Sequence, residues 1–311
     1  MRRPYLDSPL MTSVSIITPS FNQAAYLNDT LESVLAQEIP GLEYIVIDGG
    51  STDGSVDIIR RHAGRLAYWT SEPDSGQAEA INKGLARATG DVIAWLNSDD
   101  IYRPGAVRAA LAALDADSSL AFVYANLDSI DAAGRVFNTI RYAPYTLLDL
   151  LAFRIIGQPT VFFRRRALLQ AGVLDPAYNF LLDHHLWLRL AQHGGLRYIP
   201  QTLAAARHHP AAKNTAQAAR FGGEVYRILD WAQTQPALAT MIERHPRKVW
   251  GGAHRLNARY LLDGGAPGPA LRAYARAFAN DPAYALKHWR RMVYALASAA
   301  GLGGMRKATR R

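Results

Sequence analysis

Four apolar runs, each ending in a polar cluster, constrain this chain more than any other feature. Val14-Ser15-Ile16-Ile17 runs into Thr18-Pro19-Ser20-Phe21-Asn22, and residues 42–47 run into Asp48-Gly49-Gly50-Ser51-Thr52-Asp53-Gly54-Ser55. Residues 66–70 run into Ser71-Glu72-Pro73-Asp74-Ser75-Gly76, and residues 91–96 into Asn97-Ser98-Asp99-Asp100. Between these runs, Tyr26, Leu27, Thr30, Leu31, Val34 and Leu35 recur at helical spacing, and Pro40-Gly41 stops that helix. A second helix starts at Gln77 and is closed by Gly90. Strands that alternate with helices predict a mostly parallel sheet with helices on both faces. In such sheets ligands bind outside the carboxyl ends of the strands, and all four clusters fall there.

The clusters carry a definite chemistry. Asp99 and Asp100 offer hard carboxylate oxygens, which suit Mg²⁺ or Mn²⁺ held between protein and substrate phosphates. Taken alone, that pair could simply cap the helix expected near Pro104, and residues 48–55 could be turn chemistry. Four clusters ending four successive strands read instead as a nucleotide pocket with a metal at its phosphate end. The pocket is not the dinucleotide type, because G-x-G-x-x-G is absent, and no Gly-Lys-Ser/Thr follows to make a P-loop.

Composition excludes several classes. With 311 residues and 49% apolar content, the chain can build one large core, or one domain and a smaller neighbour. It has no cysteine, so disulfides, thiolate catalysis and cysteine–zinc sites are excluded, and a reducing compartment fits. No apolar stretch follows Arg2-Arg3, so no signal peptide is expected. No run approaches the roughly 18 apolar residues of a membrane span. The net charge is +9, of which seven charges fall in residues 287–311 without a single acid, leaving +2 elsewhere. A basic tail without a basic stripe argues against nucleic acid as a partner.

The four clusters, together with Gln77-Ala78 and Ile81-Asn82-Lys83-Gly84, stand in the order and spacing of the nucleotide-binding half of family 2 glycosyltransferases. The chain resembles that family from Val14 to about Lys213. The resemblance implies an α/β chain of the GT-A fold: a Rossmann-like, mostly parallel mixed sheet with helices on both faces. It implies that Phe21 lies against the base, with Pro19 and Asn22 beside it. Asp48 would accept a base N–H from uracil, thymine or guanine, with Ser51 in the same loop. Asp74, Ser75 and Gly76 would position base or ribose, and Lys83 and Ser98 would complete the donor site. Asp99 corresponds to the last Asp of the family's D-x-D motif and would hold Mn²⁺ or Mg²⁺. Asn97 departs from the pattern, standing where many members carry the first Asp. Around residues 206–214 a loop would close over the diphosphate, with His209 as a metal ligand and Arg207, Lys213 and Asp100 near the phosphates.

Leu186, Trp187 and Leu190 give residues 181–190 a buried helical stripe, with Asp183 at its start. By position alone Asp183 would be an N-cap. By resemblance it is the general base, kept ionised by the helix dipole, although Leu182 replaces the acid that usually precedes it. His184 and His185 read as local packing or acceptor contacts, and Arg164-Arg165-Arg166 as a solvated helix face or a phosphate contact.

The resemblance implies an inverting, metal-dependent transferase using a nucleoside-diphosphate sugar, UDP first among the donors. The acceptor would be a saccharide or a lipid-linked acceptor in cell-surface polysaccharide or glycolipid synthesis. Two alternatives remain: a non-catalytic nucleotide-sugar-binding protein, and a sugar-phosphate nucleotidyltransferase. The latter would want a Gly-rich basic loop where Phe21-Asn22-Gln23 stands. Residues 1–222 read as the catalytic domain and 223–311 as a helical extension, in which 253–284 resemble a single tetratricopeptide-type helix pair. Lys287-His288-Trp289-Arg290-Arg291 precedes a weakly apolar run at 292–305. This segment reads either as a peripheral contact with the inner face of the cell membrane, on an otherwise cytoplasmic protein, or as a basic tail in solution.

Overall fold

Strand β1 (Val14–Ser20) is buried along its whole length, as the middle strand of a sheet covered on both faces must be. A computed structural model describes residues 12–210 and 212–301. In it β1 pairs in parallel with β2 (Glu43–Asp48) on one side and β4 (Val92–Trp95) on the other, and β2 pairs in parallel with β3 (Tyr68–Ser71). The register sets Ser20 opposite Asp48 and Asp48 opposite Ser71, so three of the polar clusters begin at one level.

The nine-stranded sheet runs β3-β2-β1-β4-β8-β6-β9-β5, with β7 on β6. Strand β8 (Phe162–Arg164) is antiparallel to both neighbours, β4 and β6 (Leu120–Ile130). Strand β9 (Gly195–Arg207) is parallel to β6, while β5 (Ile101–Tyr102) and β7 (Val136–Ile140) add antiparallel edges. The sheet is therefore mixed, with its four parallel strands where the sequence pattern placed them.

Helices α1 (Ala24–Leu35), α2 (Ser55–His62), α3 (Gln77–Arg87) and α4 (Ala106–Asp115) fill the crossovers. Leu27, Leu31 and Val34 of α1 share one core with Ile16, Val46 and Ala94 of the strands and Val107 and Leu111 of α4. Helix α3 lies close to β1: a Cβ on Gly84 would come within 2.5 Å of Ile17 Cγ2, so only glycine fits without a shift.

The chain divides into two compact units. The first holds the sheet and comprises residues up to Tyr145 together with Ile156–His208. It also contains α6 (Arg165–Ala171) and α7 (Leu182–Leu190). The triple arginine has a structural task here. Arg164 donates to the carbonyls of Leu114, Asp117 and Leu120, and Arg166 donates to that of Ser118, so these two side chains tie down the turn after α4.

The second unit takes Thr146–Ile155 together with the chain from His209 onward. Its helices are α5 (Leu147–Leu151), α8 (Lys213–Ala216), α9 (Phe221–Gln233), α10 (Pro236–Arg244), α11 (Pro246–Asp263), α12 (Pro267–Asn280), α13 (Pro282–Leu286) and α14 (Trp289–Ala299). Helices α10 to α13 each open on a proline, whose missing N–H costs nothing at a helix start. The helix pair read from residues 253–284 is α11 and α12. They pack through Ala258, Leu262, Ala270, Ala273 and Tyr274, with Ala295 of α14 in the same cluster. Thr146 and Asp149 form a capping box on α5. Asp149 also binds Lys248 Nζ at 2.9 Å, and Arg255 donates to the carbonyl of Phe153 at 2.6 Å, fixing this short helix to α11. No helix among the described residues is long and apolar enough to cross a membrane. The tail charges Arg306, Lys307, Arg310 and Arg311 lie outside the described residues.

Candidate active site

The loops after β1 and β2 are laced together. Gly49 N–H donates to the carbonyl of Ser20, Asn22 N–H to Ser51 Oγ, and Thr52 N–H to Asn22 Oδ1, all within 2.8–2.9 Å. Asn22 itself sits at φ +51°, a left-handed conformation that asparagine tolerates. Asp53 Oδ2 accepts the N–H of Ala24 at 2.8 Å, closing the seam at the start of α1. Pro19 is buried in the ladder, while Phe21 projects from this seam at 59% exposure. An aromatic ring so exposed at the carboxyl end of a sheet is a ready platform for a flat ligand.

Asp48 is fully buried and shapes the loop. Its carboxylate accepts four hydrogen bonds: from the N–H groups of Gly50 and Ser51, and from the hydroxyls of Ser51 and Ser71. The adjoining loop approaches closely, since a Cβ on Gly49 would stand 2.6 Å from Asp74 Oδ2. Asp74 Oδ1 in turn accepts the N–H of Gly76, which holds φ +128°, and Ser75 N–H donates to Glu79. Lys83 is engaged by Glu72 at 2.9 Å and Glu79 at 3.0 Å.

The fourth cluster forms a network at the end of β4. Asn97 accepts from Gln77 Nε2 at 2.8 Å and donates to Gln158 Oε1 at 3.2 Å. Gln158 Nε2 donates to the carbonyl of Trp95 at 2.7 Å. Ser98 is buried and Asp99 half-buried. Asp100 is buried, accepting the Arg207 N–H at 2.9 Å, while its own carbonyl accepts from Thr30 Oγ1 at 2.7 Å. Burial, then the neighbouring Asp99 charge, push the Asp100 carboxyl well above the usual carboxylate range. The two adjacent acids thus differ: one helps hold the fold, the other stands nearer to solvent.

Arg207 secures this turn. Its guanidinium donates to the carbonyls of Asp99 and Ala132 and to Asp29 Oδ2, and it lies 4.9 Å from the centre of the Tyr26 ring. His209 and Lys213, expected with it in one loop, belong to the second unit. There His209 is buried and Lys213 opens α8. Ala211, in the same expected loop, lies outside the described residues.

Asp183 occupies the first turn of α7, with Leu181 rather than Asp183 at the N-cap position. Its Oδ1 accepts the N–H of His184 at 2.8 Å. One turn later Trp187 is fully buried, stacked on Trp95 at 5.1 Å, with Phe163 and Phe122 each at 5.9 Å. A single aromatic cluster therefore ties the strand leading to Asn97–Asp100 to the helix that bears Asp183. Asn82 adds a second tie, exchanging two hydrogen bonds with the backbone of Leu174 on the segment before α7. Gln158 was not singled out from sequence, although an amide shortly before the apolar run 161–163 was the available signal, and Gln77 was read as part of a motif without a role of its own.

The sequence profile of glycosyl transferase family 2 matches residues 15–171, just over half of the chain and the part that builds this sheet edge. The chain belongs to glycosyl transferase family 2. It is 33% identical over 226 residues to TuaG of Bacillus subtilis (strain 168), a glycosyltransferase named for teichuronic acid biosynthesis, covering 70% of this chain and 88% of TuaG. Among solved structures, Staphylococcus aureus TarS 1–349 in complex with UDP-GlcNAc superposes with a TM-score of 0.62 at 16% identity, covering 93% of this chain and 92% of TarS 1–349. The mannosyltransferase PcManGT of Pyrobaculum calidifontis, in complex with GDP-Man and Mn²⁺, superposes with a TM-score of 0.62 at 21% identity, over 98% and 92% of the two chains. These likenesses establish the GT-A fold, and with the family they make this chain a glycosyltransferase.

A divalent metal can be tested against the donor set. Among the described residues no three His, Cys, Asp or Glu side chains gather as a cage. Asp99 offers one hard carboxylate at the strand end, and the buried Asp100 is held by the backbone N–H of Arg207. One carboxylate, with substrate phosphates and water supplying the rest, is an ordinary arrangement for Mg²⁺ and for metals of similar hardness. The residues fit the group on those terms.

Proposed function

We propose that this glycosyltransferase inverts the anomeric centre while moving a sugar from a nucleoside-diphosphate sugar, UDP foremost, to an acceptor hydroxyl on a saccharide or lipid-linked acceptor. The observation that carries the reading is the Trp95–Trp187 stack, which links the element bearing Asp99 to the element bearing Asp183. Phe21, beside Pro19 and Asn22, stacks on the base. The loops shaped by Asp48 with Ser51, and by Asp74 with Ser75 and Gly76, hold the nucleoside, and Ser98 and Lys83 border that site. Asp99 holds Mn²⁺ or Mg²⁺, which when bound would offset charge on the departing diphosphate. Arg207 and Asp100 keep Asp99 in position. Asp183 accepts the proton of the attacking hydroxyl, a positioned transfer of a kind that typically gives about 10²–10⁴-fold. A single base suffices, because attack opposite the leaving group needs no covalent intermediate.

The similarity to TuaG supports a role in cell-surface polymer synthesis. The transfer chemistry falls within residues 1–222, of which 146–155 and 209–222 belong to the helical unit, and 223–311 act as an extension. The extension contacts the inner face of the cell membrane peripherally, through the exposed Trp289, Val293 and Leu296 of α14.

The test separates binding from chemistry. Thermal-shift titration of UDP, GDP, TDP and CDP with and without Mn²⁺ should single out one nucleotide, since binding to the native state alone raises the melting temperature. Asp183→Asn should keep that shift and lose at least about 10²-fold in transfer rate. Full transfer activity in Asp183→Asn would sink the assignment of the base, and no shift with any nucleotide would sink the donor class.

A further inference from the structure

The helical unit contains a cationic cavity of its own, lined by none of the residues assigned to the transfer reaction. It has a volume of about 90 Å³ and is lined by Arg255 and Arg259 of α11, Tyr274 of α12, His288, and Arg291 of α14. Its back wall is buried, with Arg255 at 7% and Tyr274 at 1% exposure. Its rim is more open, the side chains of Arg259 and Arg291 being 41% and 42% exposed. Asp263 meets two of the three guanidinium groups. Asp263 accepts from Arg291 Nη1 at 3.0 and 3.2 Å and lies 3.6 Å from Arg259 Nε. Arg255 spends one nitrogen on the carbonyl of Phe153. Arg255 Nε, Arg259 Nε and Tyr274 Oη are all buried, and each lacks a hydrogen-bond partner among the described residues.

Buried cations without compensation are costly, and so are buried donors without acceptors. Three arginines against one aspartate leave two positive charges around a cavity with spare N–H and O–H groups. Filling it with water alone would satisfy the donors but would not balance the charge. A tetrahedral oxyanion does both. Guanidinium groups match phosphate oxygens geometrically, and the Tyr274 hydroxyl can donate a further bond. His288 stays neutral near pH 7: burial and the charges of Arg255, Arg291, Arg259 and Lys287 hold its imidazole down at about 4. It can then donate a hydrogen bond without adding to the repulsion.

We infer that Arg255, Arg259, Arg291 and Tyr274 form a phosphoryl-binding pocket in the helical unit, separate from the donor-nucleotide site. The ligand is a phosphate monoester or diester, arriving either as a lipid headgroup or as a free phosphate. The exposed apolar side chains Trp289, Val293 and Leu296 share α14 with Arg291, a placement that suits a lipid.

The experiment uses the full chain with EDTA present, so that metal-dependent phosphate binding at Asp99 does not contribute. Inorganic phosphate and pyrophosphate are titrated by calorimetry. Saturable binding is expected in wild type and in Asp99→Ala, weakened about tenfold or more for each arginine removed in Arg259→Gln and Arg291→Gln, as hydrogen bonds to charged groups imply. These rim variants avoid opening the buried wall, and far-UV circular dichroism verifies that they fold. Flotation with phosphatidylcholine vesicles, with and without phosphatidate, separates the sources. Phosphatidate-dependent flotation lost in the double variant supports the lipid headgroup, and flotation unchanged while phosphate binding is lost supports free phosphate. Absence of saturable phosphate binding, or equal binding by the folded double variant, overturns the pocket.

Discussion

Replacing Arg207 with methionine tests whether the turn that bears Asp99 is held from behind. The side chain is 2% exposed, so its guanidinium works in a nearly dry setting. Arg207→Met keeps an apolar stem of similar length, while Asp29 and the buried Asp100 lose a neighbouring positive charge. It removes donors from two carbonyls, those of Asp99 at 3.0 Å and Ala132 at 3.1 Å. Hydrogen bonds from charged groups contribute about 1.5–3 kcal/mol each. The ion pair with Asp29 adds little, because that carboxylate is 60% exposed and exposed pairs are worth about 1 kcal/mol at most. Loss of the contact with the Tyr26 ring removes roughly another 0.5–1 kcal/mol. The total is about 4–8 kcal/mol, which lowers the melting temperature of a unit this size by roughly 8–30 °C. Asp29→Asn should cost no more than about 1 kcal/mol. Differential scanning fluorimetry on both variants decides the matter. Arg207→Met melting within about 2 °C of wild type, or Asp29→Asn falling as far as Arg207→Met, refutes the reasoning.

Phe21→Ala should leave stability nearly unchanged, within about 0.5 kcal/mol, because the ring is 59% exposed. The same variant should weaken nucleotide binding by roughly 5–100-fold, the range expected from losing about 1–3 kcal/mol of base stacking; unchanged affinity in calorimetry would remove Phe21 from the site. His185 gives a pH prediction. Its imidazole is held down at about 3, from an ordinary 6.5, first by burial and then by the Arg189 charge, with Asp175 opposing. The unfolded chain therefore takes up a proton below about pH 6.5 that the folded chain refuses until about pH 3. Stability is complete above that window and falls as pH drops through it, by up to about 5 kcal/mol. Urea melts between those limits should show a shallower pH slope in His185→Gln than in wild type, and equal slopes would contradict the assignment.

The parallel half of the sheet was legible because its signals are local. An apolar strand that stops at Asp48 or Asn97 announces both the element and the edge it reaches. β1 is longer than its apolar run suggests: Thr18, Pro19 and Ser20 continue the ladder, although proline is disfavoured within central strands. What stayed hidden depends on partners far along the chain. Arg164 and Arg207 resemble solvent or phosphate residues in sequence, yet their guanidinium groups end on backbone carbonyls that no pattern links to them. Gln158 joins Asn97 across 61 positions, beyond the reach of any periodicity. Asp183 was legible as the head of a helix, but α7 starts one residue earlier, at Leu182, which puts Asp183 in the first turn rather than at the cap.

The membership of Thr146–Ile155 in the helical unit has a consequence for how this protein can be divided. Because the chain enters that unit, leaves it and returns, no single cut separates the two. A chain truncated after residue 208 would retain α5 while losing Lys248 from Asp149 and Arg255 from the carbonyl of Phe153. The helical segment expressed alone would lack the same ten-residue piece. Recombination between relatives at one breakpoint would meet the same obstacle. Exchanging the helical unit whole therefore takes three junctions in the chain, after residues 145, 155 and 208.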